Sequence, residues 1–226
     1  MISDPSDLES FQSILATLSL PNFAVDAFDR PFVVALEGPN GAGKTTLGHS
    51  IATKLSAPCC LGTDEAWFGK AFKTRMIRDA DWYASAMFFL SGCFEQMRQL
   101  RQRVEPLVIL DRCLWSTFAV QAALNEDRLE RLIGMLRPIA AEIPIPHLTL
   151  VLEASFGTCQ ERISNKEGEA RALDQLTGNA EFHARERHFY RWLSSQTPRV
   201  LFLDVEHARP EVVTEKAIEA LRVHRC

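Results

Sequence analysis

Residues 37–46 read EGPNGAGKTT, and the architecture can be worked out from this glycine-rich segment outward. Gly38, Gly43, Lys44 and Thr45 match the pattern G-x-x-x-x-G-K-[ST], which lies between a strand and a helix. Glycines allow the turn that points successive backbone N–H groups inward, and the helix adds the positive end of its dipole. The segment therefore predicts a loop that binds the phosphate groups of a nucleotide.

Individual residues of this loop have expected roles. We expect the Lys44 ammonium to reach the outer phosphates of ATP and the Thr45 hydroxyl to bind Mg²⁺. The residues predicted to bind the nucleotide are Gly38, Asn40, Gly41, Ala42, Gly43, Lys44, Thr45 and Thr46.

Short apolar runs on both sides of the loop predict strands that are buried on both faces. These runs occupy residues 32–36, 59–61, 107–110, 147–152 and 200–203. Helical patterns occupy residues 44–55, 82–103, 115–124, 128–136, 156–163, 181–193 and 210–223. Strands that alternate with helices indicate an α/β fold, with a five-stranded, mostly parallel sheet and helices on both faces.

Residues 1–30 are predicted to form an N-terminal helical extension, and residues 31–226 to form the main domain. Ser6 and Glu9 have the spacing of a helix capping box. Apolar residues then recur at helical intervals, at Leu8, Phe11, Ile14, Leu15 and Leu18. We expect this helix to pack on the surface of the domain.

Composition excludes several classes of protein. The net charge is −4, whereas a nucleic-acid groove needs clustered positive charge, so no nucleic-acid partner is expected. No apolar run approaches the ~18 residues that span a bilayer, so no membrane partner is expected. The acidic N-terminus does not resemble a secretory signal, and the six cysteines form no metal-binding spacing. We therefore expect a cytoplasmic protein with reduced cysteines.

Asp111 and Arg112 follow directly after the third apolar run. A carboxylate at the carboxyl end of a buried parallel strand faces the crevice where α/β proteins bind ligands. We expect Asp111 to hold Mg²⁺ or to accept a proton, and Arg112 to hold an anionic group.

A polar segment at residues 162–171 predicts a mobile lid near residues 162–175. Cations at Arg162, Lys166 and Arg171 could close over ATP, since added positive charge stabilises the moving phosphoryl group. Residues 165–168 read NKEG and lack the final carboxylate of the guanine-reading NKxD pattern, which argues against a GTPase switch.

With these motifs identified, the chain resembles the thymidylate kinase family of nucleotide kinases. EGPNGAGKTT is similar to the family's EGxxGxGKTT. Asp111-Arg112, with Ser116, Ala119 and Gln121, resembles its DRYxxSxxAYQ segment. Residues 146–152, PHLTLVL, are similar to its PDLTLYL strand, and residues 161–163 to the ERI before its lid.

The resemblance runs with gaps from about Phe32 to Leu203. It implies a three-layer P-loop kinase fold with a small lid, and transfer of the γ-phosphate of ATP·Mg²⁺ to a nucleotide. It also implies catalytic roles for Lys44, Asp111, Arg112 and Arg162. The family often forms dimers, so a homodimer is compatible with the resemblance, but the sequence itself does not indicate the oligomeric state.

The chain departs from the family in the acceptor region. Cys93 stands where the family carries an arginine that grips the acceptor phosphate, and Cys113 replaces the tyrosine of DRY. Asp64-Glu65 followed by Trp67 instead resembles deoxynucleoside kinases, where a carboxylate accepts the proton of a sugar hydroxyl. Asp64 and Glu65 are therefore candidate catalytic bases for a hydroxyl acceptor.

Several alternatives remain open at this stage. The acceptor is expected to be a nucleoside or nucleoside monophosphate, but a kinase for another alcohol or a non-catalytic nucleotide-binding module would fit. Aromatic residues between the second and third strands could hold a flat base, although most should be core. They are Trp67, Phe68, Phe72, Trp82, Phe88, Phe89 and Phe94.

Overall fold

A parallel sheet forms the centre of the computed structural model, which describes residues 5–24, 31–61, 69–165 and 178–225. The strands are β1 (Phe32–Glu37), β2 (Cys59–Leu61), β3 (Leu107–Asp111), β4 (Leu148–Glu153) and β5 (Val200–Asp204). Their order is β2-β3-β1-β4-β5, and every neighbouring pair is parallel. Five strands were predicted, and within the described ranges the sheet is wholly rather than mostly parallel.

The helices lie in two layers, one on each face of the sheet. They are α1 (Pro5–Thr17), α2 (Lys44–Leu55), α3 (Lys70–Arg78), α4 (Trp82–Leu100), α5 (Leu114–Leu124), α6 (Glu126–Leu136), α7 (Phe156–Ser164), α8 (Ala180–Gln196) and α9 (Pro210–His224). A 3₁₀ helix, Arg137–Glu142, follows α6. Of these helices, none is long and apolar enough to cross a membrane.

Successive residues of each strand contribute to two separate cores, because side chains alternate between the faces of a sheet. Val33 and Ala35 belong to the larger core, which they share with residues from α1, α4, α5, α6 and α8. Val34 and Leu36 belong to the smaller core with residues from α2 and α9. Burial on both faces explains why the strands read as continuous apolar runs.

α1 contributes more to the fold than a surface helix would. Phe11 and Leu15 are almost completely buried and belong to the larger core, where α1 packs against α8 and α6. Of the other predicted stripe residues, Leu18 packs against this core, and Leu8 and Ile14 are half-buried. The division at residue 30 stays a prediction.

Some helix limits differ from the sequence prediction. α3 was not predicted because Lys70–Arg78 has no buried residue, and therefore no apolar stripe to recognise. α6 begins two residues earlier than predicted because the Asn125 side chain caps it by accepting from Asp127 N.

The topology places the carboxyl ends of the strands at one edge of the sheet. β1 is central, with β3 on one side and β4 on the other, so the chain reverses its direction of winding beside β1. In open α/β sheets ligands bind at such a reversal. Carboxylates end four of these strands, at Glu37, Asp111, Glu153 and Asp204.

Candidate active site

The glycine-rich loop connects β1 to α2 and is packed closely against the rest of the domain. Gly38 has φ 119° and Gly41 has φ 85°, both in the region that favours glycine. A Cβ at Gly38 would lie 2.5 Å from Leu152 O, and one at Gly41 would lie 2.4 Å from Cys159 O. Backbone contact with β4 and α7 therefore requires glycine at both positions.

Lys44 is the first residue of α2, and its ammonium group lies against the loop. The residue is only 6% exposed, and Nζ donates to Gly38 O at 2.8 Å and to Pro39 O at 2.7 Å. The loop therefore surrounds a cation that is held by backbone carbonyls.

Other charged groups lie close to Lys44. Burial and the nearby Arg112 guanidinium lower the pKa of Lys44 to about 7. The carboxylates of Glu186, Asp111 and Glu37 act in the opposite direction. An anion placed near Nζ would favour its charged form.

Thr45 and Asp111, which were predicted to bind the metal, are brought together by the fold. Asp111 is the last residue of β3 and pairs with Leu36 of β1, so its side chain lies beside the start of α2. The Thr45 hydroxyl donates to Asp111 Oδ2 at 2.5 Å. Hydroxyl and carboxylate oxygens are ligands that suit Mg²⁺, which usually binds one or two carboxylates together with substrate phosphates. Within the described residues no cluster of three or more His, Cys, Asp or Glu competes as a metal site.

Arg112 occupies a constrained position after β3. Its φ of 76° is rare for a residue with a side chain and costs about 1–3 kcal/mol. Its backbone N–H donates to Leu36 O at 3.1 Å. Nη1 donates to Ser116 Oγ at 2.9 Å, and Nη2 donates to Asn40 Oδ1 in the loop. The predicted residue therefore lies next to the glycine-rich loop.

Glu37 is a site residue that the sequence reasoning missed. It is 0% exposed, and its carboxylate accepts hydrogen bonds from Cys113, Ser116 and Tyr190. A charged residue at the end of the apolar run 32–36 was the available signal, because a fully buried carboxylate needs several partners.

Glu186 was also missed. It is 3% exposed and lines a cavity of about 20 Å³ between the loop residues Pro39 and Asn40, α7 and α8. Burial raises the pKa of Glu186, although Arg112 and Lys44 oppose this effect. The signal was a carboxylate on the apolar stripe of α8, between Phe182 and Tyr190.

Arg162 lies within α7 rather than in a loop, although the predicted lid began there. Its guanidinium donates to Ala42 O at 3.3 Å and to Val205 O at 2.8 Å. It therefore connects the glycine-rich loop to the segment after β5. The remainder of the predicted lid, from residue 166 to residue 175, lies outside the described residues.

The acceptor region is only partly described. Asp64, Glu65, Trp67 and Phe68 lie outside the described residues. Phe72 and Phe88 meet edge to face at 5.5 Å between ring centroids.

In α4, a thiol occupies the position where the resembled family carries an arginine that grips the acceptor phosphate. Cys93 is buried in α4, and burial raises its pKa to about 12, so it is a neutral thiol. Arg98, the only arginine in the sequence of α4, pairs with Glu95 at the surface. Cys113 is likewise a free, buried thiol.

Comparisons with known proteins identify the family. The profile of the deoxynucleoside kinase family matches residues 34–223, which is most of the chain. A probable thymidylate kinase of Sulfolobus acidocaldarius is 25% identical over 194 residues, covering 81% of this chain and 93% of the relative. The deoxyguanosine kinase of Bacillus subtilis is 23% identical over 208 residues, covering 86% and 95%.

Solved structures show the same fold. The thymidylate kinase of Candida albicans superposes with a TM-score of 0.70 at 21% identity, covering 87% of this chain and 94% of that protein. The resemblance based on motifs is therefore confirmed. Together, the matching family profile and the architecture show that this chain belongs to the deoxynucleoside kinase family, whose members are ATP-dependent phosphotransferases.

Proposed function

We propose that this kinase transfers the γ-phosphoryl group of ATP to a hydroxyl group of a nucleoside. The observation that carries this proposal is the contact between Thr45 and Asp111 at 2.5 Å, beside the buried ammonium of Lys44. The oxygen atoms of Thr45 and Asp111, which could bind a metal ion, therefore lie close to Lys44, which could bind the outer phosphates. Phosphoryl transfer relies mainly on such positioning and charge stabilisation.

The donor side of the site is assigned as follows. Backbone N–H groups of the loop 38–46 hold the phosphates, and Lys44 leaves the loop carbonyls to contact the outer phosphates. Thr45 and Asp111 would hold Mg²⁺, which would supply positive charge to neutralise the phosphate groups. Arg112 and Arg162 supply further positive charge, and the segment after Arg162 acts as the lid.

The charges around the loop favour an acceptor without a phosphate group. Three carboxylates, Glu37, Asp111 and Glu186, act on the Lys44 ammonium, while Arg112 is the one further cation that acts on it among the described residues. A buried monophosphate needs paired cations, and Cys93 cannot supply one. A neutral sugar hydroxyl carries no such requirement.

A hydroxyl acceptor needs a base, because its proton must leave as the new bond to phosphorus forms. By the resemblance to deoxynucleoside kinases, we assign this role to Asp64 or Glu65. A cytoplasmic location and a homodimer also stay predictions.

An acceptor panel tests the proposal. Purified protein with ATP and Mg²⁺ is given the four common deoxynucleosides, thymidine monophosphate and small non-nucleoside alcohols, and ADP release is measured. We expect turnover with at least one deoxynucleoside. Turnover with the monophosphate alone, or with the other alcohols alone, would contradict a nucleoside acceptor. Tight ATP binding without any transfer would indicate a non-catalytic module.

Variants assign the roles in the same assay. Lys44→Ala should lower kcat by about 10²–10³-fold, the usual cost of losing a group that stabilises the transition state. Lys54→Ala is the matched control, because Lys54 lies on the same helix and pairs with Glu215 at the surface. Asp64→Asn and Glu65→Gln, made separately, should identify the base. Unchanged turnover in both would exclude a carboxylate base at this position.

A further inference from the structure

The carboxylate of Glu37 is fully enclosed and fully hydrogen-bonded. Oε1 accepts from Cys113 N at 2.8 Å, from Cys113 Sγ at 3.1 Å and from Ser116 N at 3.2 Å. Oε2 accepts from Tyr190 OH at 2.9 Å and from Ser116 Oγ. Glu37 is 0% exposed, so it is closed off from any ligand in the crevice and can act only through its neighbours.

The neighbours of Glu37 enclose the turn that carries Arg112. The φ of 76° at Arg112 is unfavourable and persists only when surrounding contacts hold it. The Glu37 carboxylate accepts hydrogen bonds from the backbone N–H groups of Cys113, which follows Arg112, and of Ser116, one helical turn further along the chain.

The side chain of Arg112 is connected to the same carboxylate. Ser116 Oγ donates a hydrogen bond to Glu37 Oε2 and accepts one from Arg112 Nη1 at 2.9 Å. The other arm of the guanidinium donates to Asn40 Oδ1 in the phosphate-binding loop. The chain of contacts therefore runs from a buried carboxylate, through one hydroxyl, to the guanidinium beside the loop.

Tyr190 connects this chain of contacts to α8. It is 1% exposed, and burial keeps its phenol protonated by raising its pKa well above the usual value, so it remains a donor to Glu37. The Tyr190 hydroxyl restrains Glu37 Oε2, the oxygen that also accepts the hydrogen bond from Ser116 Oγ. α8 is thereby connected through Glu37 and Ser116 to the Arg112 side chain.

We propose that Glu37, held by Tyr190, is a positioning residue that acts through Ser116 to orient the Arg112 guanidinium at the phosphate site. This inference rests on the proposed role of Arg112 in phosphoryl transfer. It assigns Glu37, Ser116 and Tyr190 a role in the rate of transfer, separate from nucleotide binding by the loop.

Two single-hydroxyl variants test the proposal. Tyr190→Phe and Ser116→Ala each remove one donor to Glu37 and leave the rest of the side chain in place. Because a displaced group near the reacting atoms can cost about 10²-fold, we expect kcat to fall by about 10- to 100-fold. The KM for ATP, and the Kd of Mg·ADP measured by calorimetry, should stay within about twofold.

Thr214→Val is the matched control. Thr214 is also buried and donates one hydrogen bond, to Pro210 O at 2.7 Å in α9, away from the site. It should lower the melting temperature by a similar amount while kcat stays within about twofold. A loss of kcat that tracks the melting temperature in all three variants would show that Glu37 is only structural and would overturn the proposal.

A double-mutant cycle separates positioning from a general effect. Arg112→Gln should lower kcat strongly, and adding Ser116→Ala should then cause little further loss, since contacting residues are not additive. Equal losses from Ser116→Ala in both backgrounds would overturn the proposal. Because a change at the buried Glu37 itself could prevent folding, the test relies on the variants Ser116→Ala and Tyr190→Phe.

The cycle also distinguishes the two proposals. Full turnover by Arg112→Gln would overturn the assigned role of Arg112, and the positioning role with it. Loss in Arg112→Gln together with unchanged kcat in Ser116→Ala and Tyr190→Phe would overturn the positioning role alone.

Discussion

At the scale of single residues, Lys44 combines two requirements that conflict. The role proposed for Lys44 in phosphoryl transfer requires a charged ammonium group, yet burial lowers the pKa of this residue to about 7. The unfolded chain exposes this lysine and restores a pKa near 10.5. Between these values the unfolded state binds more protons than the folded state, so stability rises with pH.

A pH series of unfolding measurements tests this linkage. Between pH 7 and pH 9, the free energy of unfolding of the wild type should rise relative to Lys44→Met by up to about 1.4 kcal/mol per pH unit. Lys44→Met lacks the titrating group, and Lys54→Met, at an exposed position, should follow the wild type. A constant difference between wild type and Lys44→Met would show that Lys44 keeps an ordinary pKa.

Other residues at the site show how environment, rather than residue type, decides a role. Glu37 and Glu186 are both buried carboxylates. Glu37 accepts hydrogen bonds from three residues, while Glu186 lies beside a small cavity and has its pKa raised by burial. Glu37 therefore suits a fixed structural role. The charge of Glu186 should instead depend on which groups bind beside it.

At the scale of elements, α1 is joined to the domain through its apolar stripe. Phe11 is 1% exposed, and the Arg185 guanidinium of α8 lies over its ring at 5.5 Å from the centroid. α8 also carries Glu186 and Tyr190. α1 therefore packs against the same helix that contributes residues to the candidate active site.

Truncation of this stripe should destabilise the whole domain. Phe11→Ala should reduce the free energy of unfolding by about 3–5 kcal/mol, as is usual for a large buried ring. Ser13→Ala is the control, because Ser13 lies on the exposed side of the same helix. If chemical denaturation gave the same stability for Phe11→Ala and the wild type, the packing of α1 would not contribute to the stability of the domain.

At the scale of the whole molecule, sheet order concentrates the chemistry at one edge. β1 lies between β3 and β4, which brings the loop after β1 next to Asp111 and against Leu152 and Cys159. Nucleotide binding should therefore restrain the centre of the sheet and both cores together. A ligand that binds only the folded state stabilises all of it.

Thermal unfolding with nucleotide tests this expectation. At about 100 times its Kd, Mg·ADP should stabilise the wild type by about 2.7 kcal/mol, and removal of Mg²⁺ with a chelator should reduce the effect. Asp111→Asn should weaken the dependence on Mg²⁺, and Lys44→Ala should lose most of the stabilisation. Equal stabilisation with and without Mg²⁺ would exclude a metal held by Thr45 and Asp111.

The glycine-rich loop, its neighbouring strand and helix, and the class of fold were predictable from the amino-acid sequence alone. The phosphate-binding pattern is local, and apolar runs report directly on strands covered by helices on both faces. The same local signals located Lys44, Thr45, Asp111 and Arg112, since each lies at or near the end of a strand or at the start of a helix.

Contacts between these groups, and the residues that hold them in place, depend on how distant parts of the chain pack together. Glu37 and Tyr190 are 153 residues apart in the chain, and Arg112 and Asn40 are 72 apart. Local periodicity reports the face of an element that is buried, but not the partner that covers it. For that reason the buried position of α1, the enclosed carboxylate of Glu37 and the placement of Glu186 beside the loop emerged only when the strands were ordered and the helices packed.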